Sequence, residues 1–367
     1  MPVEEFDQAR AAIEPVRDAD YATFREDYEI HGAETGTVEV GYAGALAIHL
    51  LPAGGSWGID QPTWAQIAVI KNCPNDDCVY QNMPYPNYHS VSNSNAYNGT
   101  INYNSLQIRY EKRFAAGAAI TSGYTFSKSL GDSDTTMSWL DSGADGMPQD
   151  YNNIKGEHSI LSYSIKNRWV SSFVLDLPVG KGKKYFNNEN GIVDRVIGGW
   201  GINGITTLQS GQHLLLTDGN GDALAGSHGH GLNAGQLRPD YIADCDKLKG
   251  SGGSQQKRMN GWFNTSCFLA PDANPSNPHP GPYALGNEPR VDSNLVGSGI
   301  ANWDFTAQKT TRITEKTNLE FRMEFYNLFN RRQWNLPNGD VSSPGFGTIN
   351  DQQNNPRQMQ ASLRFNF

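Results

Sequence analysis

Long hydrophobic runs are missing from this sequence. No stretch reaches the roughly 18 consecutive apolar residues that a membrane-spanning helix needs. That excludes helical spans and leaves strand-built spans open, because barrel strands carry a much weaker signal. Hydrophobic residues make up only 37% of the 367 residues, and the mean hydropathy is −0.57. The N-terminus, Met1-Pro-Val-Glu-Glu-Phe-Asp-Gln8, has neither a basic n-region nor an apolar h-region, so it does not read as a signal peptide. The chain is therefore expected either to be cytoplasmic or to be the tail of a longer, exported product. Positive charge is scarce too. The 29 Lys and Arg stand against 38 Asp and Glu, a formal net charge of −9, which argues against nucleic acid as a partner. No Ser-His-Asp signature, phosphate loop or dinucleotide fingerprint occurs, so no enzymatic activity and no cofactor are expected.

Cysteine is nearly absent. The four that exist fall into two local pairs, Cys73 with Cys78 and Cys245 with Cys267. Disulfides closing small loops suit an oxidising compartment; free thiols are the alternative. Zinc fits poorly, since the pairs lie far apart and neither has Cys-x-x-Cys spacing.

What the chain does have is Gly, 39 of them, and 11% aromatic residues. The final stretch, Gln358 to Phe367, puts Met359, Ala361, Leu363, Phe365 and Phe367 on one side of an extended chain and Gln358, Gln360, Ser362, Arg364 and Asn366 on the other. Successive side chains of a strand point to opposite faces, so this is a strand with one greasy and one wet side. A membrane barrel has use for such a strand, because its outer face meets lipid.

The same alternation recurs upstream. It is weak over 21–30. It is clearer over 37–50 (Val38, Val40, Tyr42, Leu46, Ile48, Leu50), over 102–114 (Leu106, Ile108, Tyr110, Phe114) and over 118–129 (Ile120, Tyr124, Phe126). It returns at 165–177 (Trp169, Phe173, Leu175, Leu177), 197–216 (Trp200, Ile202, Leu208), 301–313 (Trp303, Phe305, Ala307, Ile313) and 317–329 (Leu319, Phe321, Met323, Phe325, Phe329). Trp64 to Ile70 is expected as a short local strand. Ala115-Ala-Gly117 joins two of the strands in a hairpin.

Connection lengths are sorted. In chain order they run short (31–36), long (51–101), short (115–117), long (130–164), medium (178–196), very long (217–300), short (314–316) and long (330–357). Outer-membrane barrels have short turns on one side and long loops on the other, whereas a soluble β-sandwich has no reason to sort its loops. The expected fold is all-β: an antiparallel transmembrane β-barrel of about eight or nine strands with long extracellular loops. Residues 1–20 are a poorly structured lead-in and residues 21–367 a partial barrel. Nine strands leave open edges that hydrocarbon does not tolerate. A C-terminal fragment, with its missing part N-terminal, is thus the simplest expectation.

Several stretches, in order, resemble one family. They are Val38-Glu-Val-Gly-Tyr42, Asn102-Tyr-Asn-Ser-Leu-Gln107 with Glu111-Lys-Arg-Phe114, and Gly123-Tyr-Thr-Phe-Ser-Lys128. Gly198-Gly-Trp200 with Leu208-Gln-Ser-Gly211, Trp262-Phe-Asn-Thr265 and Arg322-Met-Glu-Phe-Tyr-Asn-Leu-Phe-Asn330 complete the set. Together they resemble the C-terminal barrel portion of TonB-dependent receptors of the Oar-like group, which carry a carboxypeptidase-regulatory-like domain. The resemblance implies a 22-stranded outer-membrane barrel with a plug and a TonB box, importing a scarce solute such as a siderophore or glycan. It also implies outer-membrane lipid, the barrel-assembly machinery and, through an N-terminal part that this chain lacks, TonB as partners. Met359, Leu363, Phe365 and Phe367 would then form the C-terminal assembly signal. An outer-membrane adhesion or structural protein, and a soluble extracellular binding module, are the alternatives.

Candidate sites each have a bland reading. Asp218, Asn220 and Asp222 have the spacing of the first calcium-loop ligands, but position twelve is Gly229, not Glu; a polar turn explains them equally. His228-x-His230 could touch a metal or be loop histidines, and Lys181, Lys183 and Lys184 could meet phosphate or be a solvated connector. Asn98 and Asn264 head glycosylation sequons of little meaning in a bacterial-looking chain. Glu320, Arg322 and Glu324 share one strand face and read as a charged lumen wall sooner than as an acid–base pair. Tyr42, Tyr103, Tyr124, Trp169, Trp200, Trp303 and Phe367 fit interfacial aromatic girdles or, failing that, sandwich core.

Overall fold

A computed structural model describes residues 21–32, 36–50, 57–88, 91–93, 99–114, 118–132, 148–187, 191–219, 236–279, 281 and 283–367. Nine long strands run through it: β1 (Tyr21–Gly32), β2 (Gly36–Leu50), β3 (Gly99–Arg113), β4 (Ala119–Gly131), β5 (Asn167–Asp176), β6 (Trp200–Gln209), β7 (Ile300–Arg312), β8 (Asn318–Tyr326) and β9 (Gln358–Asn366). Their order in the sheet is their order in the chain, and every neighbouring pair is antiparallel. The short segment Ser159–Ile160 adds to β4. All the long strands thus share one sheet, which rules out the two packed sheets of a sandwich. Among the described residues no pairing joins β1 to β9.

Residues directly opposite each other in a ladder share a face, so the registers show whether the separate alternations agree. Tyr42 faces Leu106, and Leu106 faces Phe126. Tyr124 faces Trp169, Trp169 faces Leu208, and Leu208 faces Ala301. Phe305 faces Phe325, and Phe325 faces Met359. The apolar side chains that alternate along β2 to β9 therefore form one continuous face, with Val170, Val174 and Ile205 among the exceptions on the other side. The opposite face is polar: Glu39 pairs with Arg109, Gln107 with Thr125, and Gln308 with Arg322, which pairs with Ser362. A one-residue slip anywhere would put a greasy row among the charges, which is why the register is strongly specified.

The apolar face is bare. Met359, Leu363 and Phe365 are each more than half exposed, and Tyr42, Leu106 and Phe126 are exposed as well. A continuous surface of this kind marks contact with a membrane or a partner. The buried hydrophobic residues lie elsewhere, almost all in the connections. They form two clusters, one around Ile67, Ile70 and Val79 and one around Leu214, Phe263 and Phe268.

The structure corrects several expectations. Trp64–Ile70 is a helix, α1, not a strand. Thr63 and Gln66 make a reciprocal capping box, with the Thr63 N–H donating to Gln66 Oε1 at 3.0 Å. Ile67 and Ile70 are three apart, which puts both on its buried side. The expected strand 197–216 stops at Gln209. Residues His213–Leu214 pair instead with Asp292–Val296 in a separate small sheet. β8 ends at Tyr326 because Asn327 takes φ +53°. Phe329 consequently leaves the strand phase and packs edge-on against Trp303 at 5.2 Å. Tyr103 faces Ala45 and Ser129, so it stands on the polar face and outside the aromatic girdle. The lead-in 1–20 and the turn Ala115–Gly117 lie outside the described residues.

On the apolar face, Leu363→Arg is expected to cost about 2–4 kcal/mol near the bilayer midplane. Ser362→Arg on the other face should cost far less. Urea unfolding of the two variants refolded in liposomes compares them; equal losses would contradict the assignment of faces.

Candidate functional site: the loop cap and its clefts

The antiparallel meander sends four long connections to the same rim: those after β2, β4, β6 and β8. There they pack into a cap. In the first, α1 is followed by α2 (Asp76–Gln81), whose N-terminus is capped by Asn75. The Cys73–Cys78 disulfide staples the two helices. Ile70, Val79 and Met83 pack on Tyr283 of the third connection, and the Trp64 ring stacks on His279 at 3.7 Å.

Connections two and three are joined by buried polar groups. Arg238 donates to both carboxylate oxygens of Glu157 at 2.9 Å, and both side chains are almost fully buried. The Glu157 carboxylate also accepts from the Gln149 N–H at 3.0 Å. Arg290 donates to the carbonyls of Glu157 and Gly131 at 3.1 and 2.8 Å, tying the cap to the end of β4. Buried Asp240 accepts from Asn274, Asn277 and the Asn287 N–H at 2.7–2.9 Å. Such groups must be partnered, since a buried charge without hydrogen bonds is strongly destabilising.

A second buried group is Lys247 with Glu288 and Asp292. Lys247 Nζ lies 2.9 and 3.1 Å from the Glu288 oxygens and also donates to Asp292. It sits over the Tyr241 ring at 4.2 Å. Burial, reinforced by neighbouring Asp292, pushes the Glu288 carboxyl up to about 8, with Lys247 offsetting only part of this. Burial works against the charge of Asp292 too, but hydrogen bonds from Glu288, Lys247 and the Asn294 N–H hold it below the usual range. Burial likewise disfavours Lys247 as a cation, yet its two carboxylate partners raise it overall. One ammonium thus shares a protonated Glu and an ionised Asp.

The third and fourth connections share the second hydrophobic cluster, where Phe263, Phe268 and Phe346 meet edge-to-face at 5.2–6.0 Å. The Cys245–Cys267 disulfide borders it. The backbone of Thr217 exchanges hydrogen bonds with Gly339 and Val341, both at 2.9 Å.

Three hollows are associated with this arrangement. One of about 390 Å³ lies on the polar face of the sheet, where Gly41 and Gly123 leave room beside Glu39, Gln107 and Arg109. Arg109 pairs there with Glu111 at 2.9 Å and with Glu39 at 3.4 Å. A second, of about 500 Å³, sits where β6 and β7 enter the cap and is lined by Gln212, Trp334, Asn335, Asp351 and Gln353 among others. The third, of about 470 Å³, also uses Trp334, with Trp262, Arg258, Arg331 and Arg332.

The expected site residues are scattered by the fold. Glu320, Arg322 and Glu324 lie together on the polar face, Arg322 Nε 3.0 Å from Glu324 Oε1. Glu324 also meets Gln360 of β9. Asp218 is buried, with its N–H donating to Leu237 O at 2.9 Å; Asn220, Asp222, His228 and His230 lie outside the described residues. Among the described residues no group of three or more His, Cys, Asp or Glu is placed to hold a metal. Lys181, Lys183 and Lys184 are exposed in the connector at the opposite rim. Both cysteine pairs are disulfides. Asn264 uses its side chain to cap a short turn, accepting from Ser266 Oγ at 2.7 Å.

Sequence reasoning missed the Arg238–Glu157 and Lys247–Glu288–Asp292 groups and the arginine-lined hollow. The one signal for the last was the Arg331-Arg332 doublet two residues before Trp334 in an acidic chain.

A sequence profile of the family described as outer membrane beta barrel domain matches residues 25–360. No curated protein matches the sequence. Among solved structures, the outer membrane transporter YddB from Escherichia coli aligns with a TM-score of 0.43 and 7% identity, covering 94% of this chain and 32% of that one. The chain thus spans about a third of that transporter's length, and a likeness this weak carries no argument.

Arg238→Ala would strand the Glu157 carboxylate in the cap and is expected to cost about 3–5 kcal/mol. Denaturant melts followed by cap tryptophan fluorescence measure it. Glu288 also sets a pH dependence. Its ordinary value is 4.5 and its folded value about 8, so between these the unfolded chain holds fewer protons and cap stability falls as pH rises. Asp292 acts only below its ordinary 3.8 and Lys247 only above 10.5. Buried His213 is lowered and acts only below its ordinary 6.5, so Glu288→Gln should remove the fall between pH 6.5 and 8, leaving the variant the more stable at pH 8. Limited proteolysis across that range would show it, and parallel curves would refute it.

Proposed function

The chain belongs to the outer membrane beta barrel domain family and resides in the outer membrane, and from that premise we propose that it forms the C-terminal barrel part of a TonB-dependent transporter. Lipid covers the apolar face. The polar face, with the hollow at Gly41, Gly123 and Arg109, lines a path for solute. The cap gathers solute at the rim where the long loops meet. The observation that carries this reading is the hollowed polar face beneath a cap built from all four long connections. The ordered set of stretches from Val38 to Asn330 supports the TonB-dependent type. We read no catalytic role into the chain.

The same reading assigns Met359, Leu363, Phe365 and Phe367 to recognition by the barrel-assembly machinery, supported by their exposure on the apolar face. Glu320, Arg322 and Glu324 become part of the lumen wall. Adhesion without transport is the second reading, favoured by the cap's own hydrophobic clusters and disulfides, which suit a display platform as well as a capture device.

Uptake separates the two. A strain lacking the gene is compared with its parent on a panel of limiting large solutes, each in TonB-proficient and TonB-deficient backgrounds. Uptake of at least one solute should fall by an order of magnitude or more, and loss of TonB should produce the same defect. Parental uptake of every solute, combined with reduced surface attachment, would replace transport by adhesion. Uptake that survives loss of TonB would remove the TonB-dependent part alone.

A further inference from the structure

The hollow formed by Arg258, Arg331 and Arg332 with Trp262 and Trp334 differs from every other charged group in the cap. The buried arginines of the cap are engaged by protein groups, Arg238 by the Glu157 carboxylate and Arg290 by two backbone carbonyls, and on the sheet Arg109 meets Glu39 and Glu111 and Arg322 meets Glu324. Among the described residues no carboxylate pairs with these three, although the chain carries an excess of nine negative charges. Three arginines line one cavity of about 470 Å³, and like charges gathered there repel one another less when an anion sits between them.

The three arginines are exposed at the hollow, and aromatic rings lie beside each of them, with Trp303 near Arg331 at 6.0 Å. Arg258 lies over the Trp262 ring at 4.6 Å and Arg332 near the Trp334 ring at 5.9 Å. A guanidinium stacked on an indole keeps its N–H edge free for a bidentate acceptor. Trp262 is itself anchored, its Nε1–H donating to Val296 O at 2.8 Å. The backbone of Arg331 is clamped from both sides: its N–H donates to Asn327 Oδ1 at 2.7 Å, and its carbonyl accepts from Asn327 and Asn354 at 2.8 and 2.9 Å. The Gln333 N–H is held by Asn354 at 2.8 Å. The held backbone and the anchored indole reduce the freedom lost when a ligand arrives.

We propose that Arg258, Arg331 and Arg332, walled by Trp262 and Trp334, form a binding site for a phosphate group. The fork geometry of arginine fits phosphate and carboxylate alike, but three cations match a phosphate monoester, which carries about −1.5 to −2 charges at pH 7, better than a singly charged carboxylate. The site stands whether or not the chain transports anything. The phosphate arrives either on a soluble ester or on a lipid headgroup at the membrane rim.

The test uses the full chain refolded in a neutral maltoside detergent. Tryptophan fluorescence is followed during titration with pyrophosphate and with glucose 6-phosphate, against sodium chloride at matched ionic strength. Saturable quenching that chloride does not reproduce is expected, and the triple variant R258Q/R331Q/R332Q should bind at least about tenfold more weakly. The variant K183Q/K184Q, at the opposite rim, should bind as the parent does. Heat-modifiable migration on a gel confirms that each variant is folded, and the single variant Arg332→Gln serves if the triple one is not. In a second arm, nanodiscs of phosphatidylcholine are compared with nanodiscs containing phosphatidic acid. Competition by phosphatidic acid assigns the site to headgroups, and its absence assigns it to soluble esters. Quenching that only tracks ionic strength in both arms, or a folded triple variant with parental affinity, would overturn the proposal.

Discussion

Hydrocarbon supplies no hydrogen bonds, and the rest of this structure depends on that. Every backbone N–H and C=O within the membrane must find its partner in the protein. An antiparallel meander meets the demand with neighbours in sequence, so each strand from β2 to β8 is satisfied by the strands before and after it. The same geometry separates side chains by parity. One face can be surrendered entirely to lipid, and no second layer is needed to cover it. The greasy row from Tyr42 across Leu106, Trp169, Leu208, Phe305 and Phe325 to Met359 therefore stays exposed or half-exposed without being a defect.

The meander also dictates where an ordinary protein core can form. Connections on one rim are too short to hold one. Those on the other rim lie outside the membrane, in water, where packing follows the rules of soluble domains. Here they bury Ile70, Val79, Leu216, Phe263 and Phe268 and are braced by two disulfides. Buried ionic groups then join one connection to another. Glu157 accepts Arg238 from a connection 81 residues away. A bridge of this kind adds little net stability over apolar packing, but it tolerates no wrong partner, since either charge alone would be stranded. The exposed pairs around Arg109 on the polar face contribute much less, because solvent screens them.

The strands were legible because each carries its own two-residue period. Eight of them stand out in the sequence, and the weak stretch 21–30 is a strand as well. What reads poorly is anything set by contacts beyond the local chain. Trp64–Ile70 looks extended when its apolar residues are counted singly, and becomes a helix once the Thr63–Gln66 cap and the packing of Ile67 and Ile70 are included. Tyr103 looks like a girdle residue by type, yet its partners Ala45 and Ser129 place it on the polar face. The cap sites were invisible for a plainer reason. Irregular segments have no period, so nothing in 217–300 announces that Arg258 shares a hollow with Arg331 or that Lys247 meets Glu288.

The sequence by itself determined the strand parity, the sorting of connection lengths and the pairing of cysteines five and 22 residues apart. All three are local properties, readable within one strand, one turn or one short loop. Tertiary structure alone decided that the separate greasy faces join into one, that the four long connections close into a single cap, and that arginines 73 residues apart line one hollow. Those outcomes depend on register and on contacts between distant segments, which local alternation does not encode.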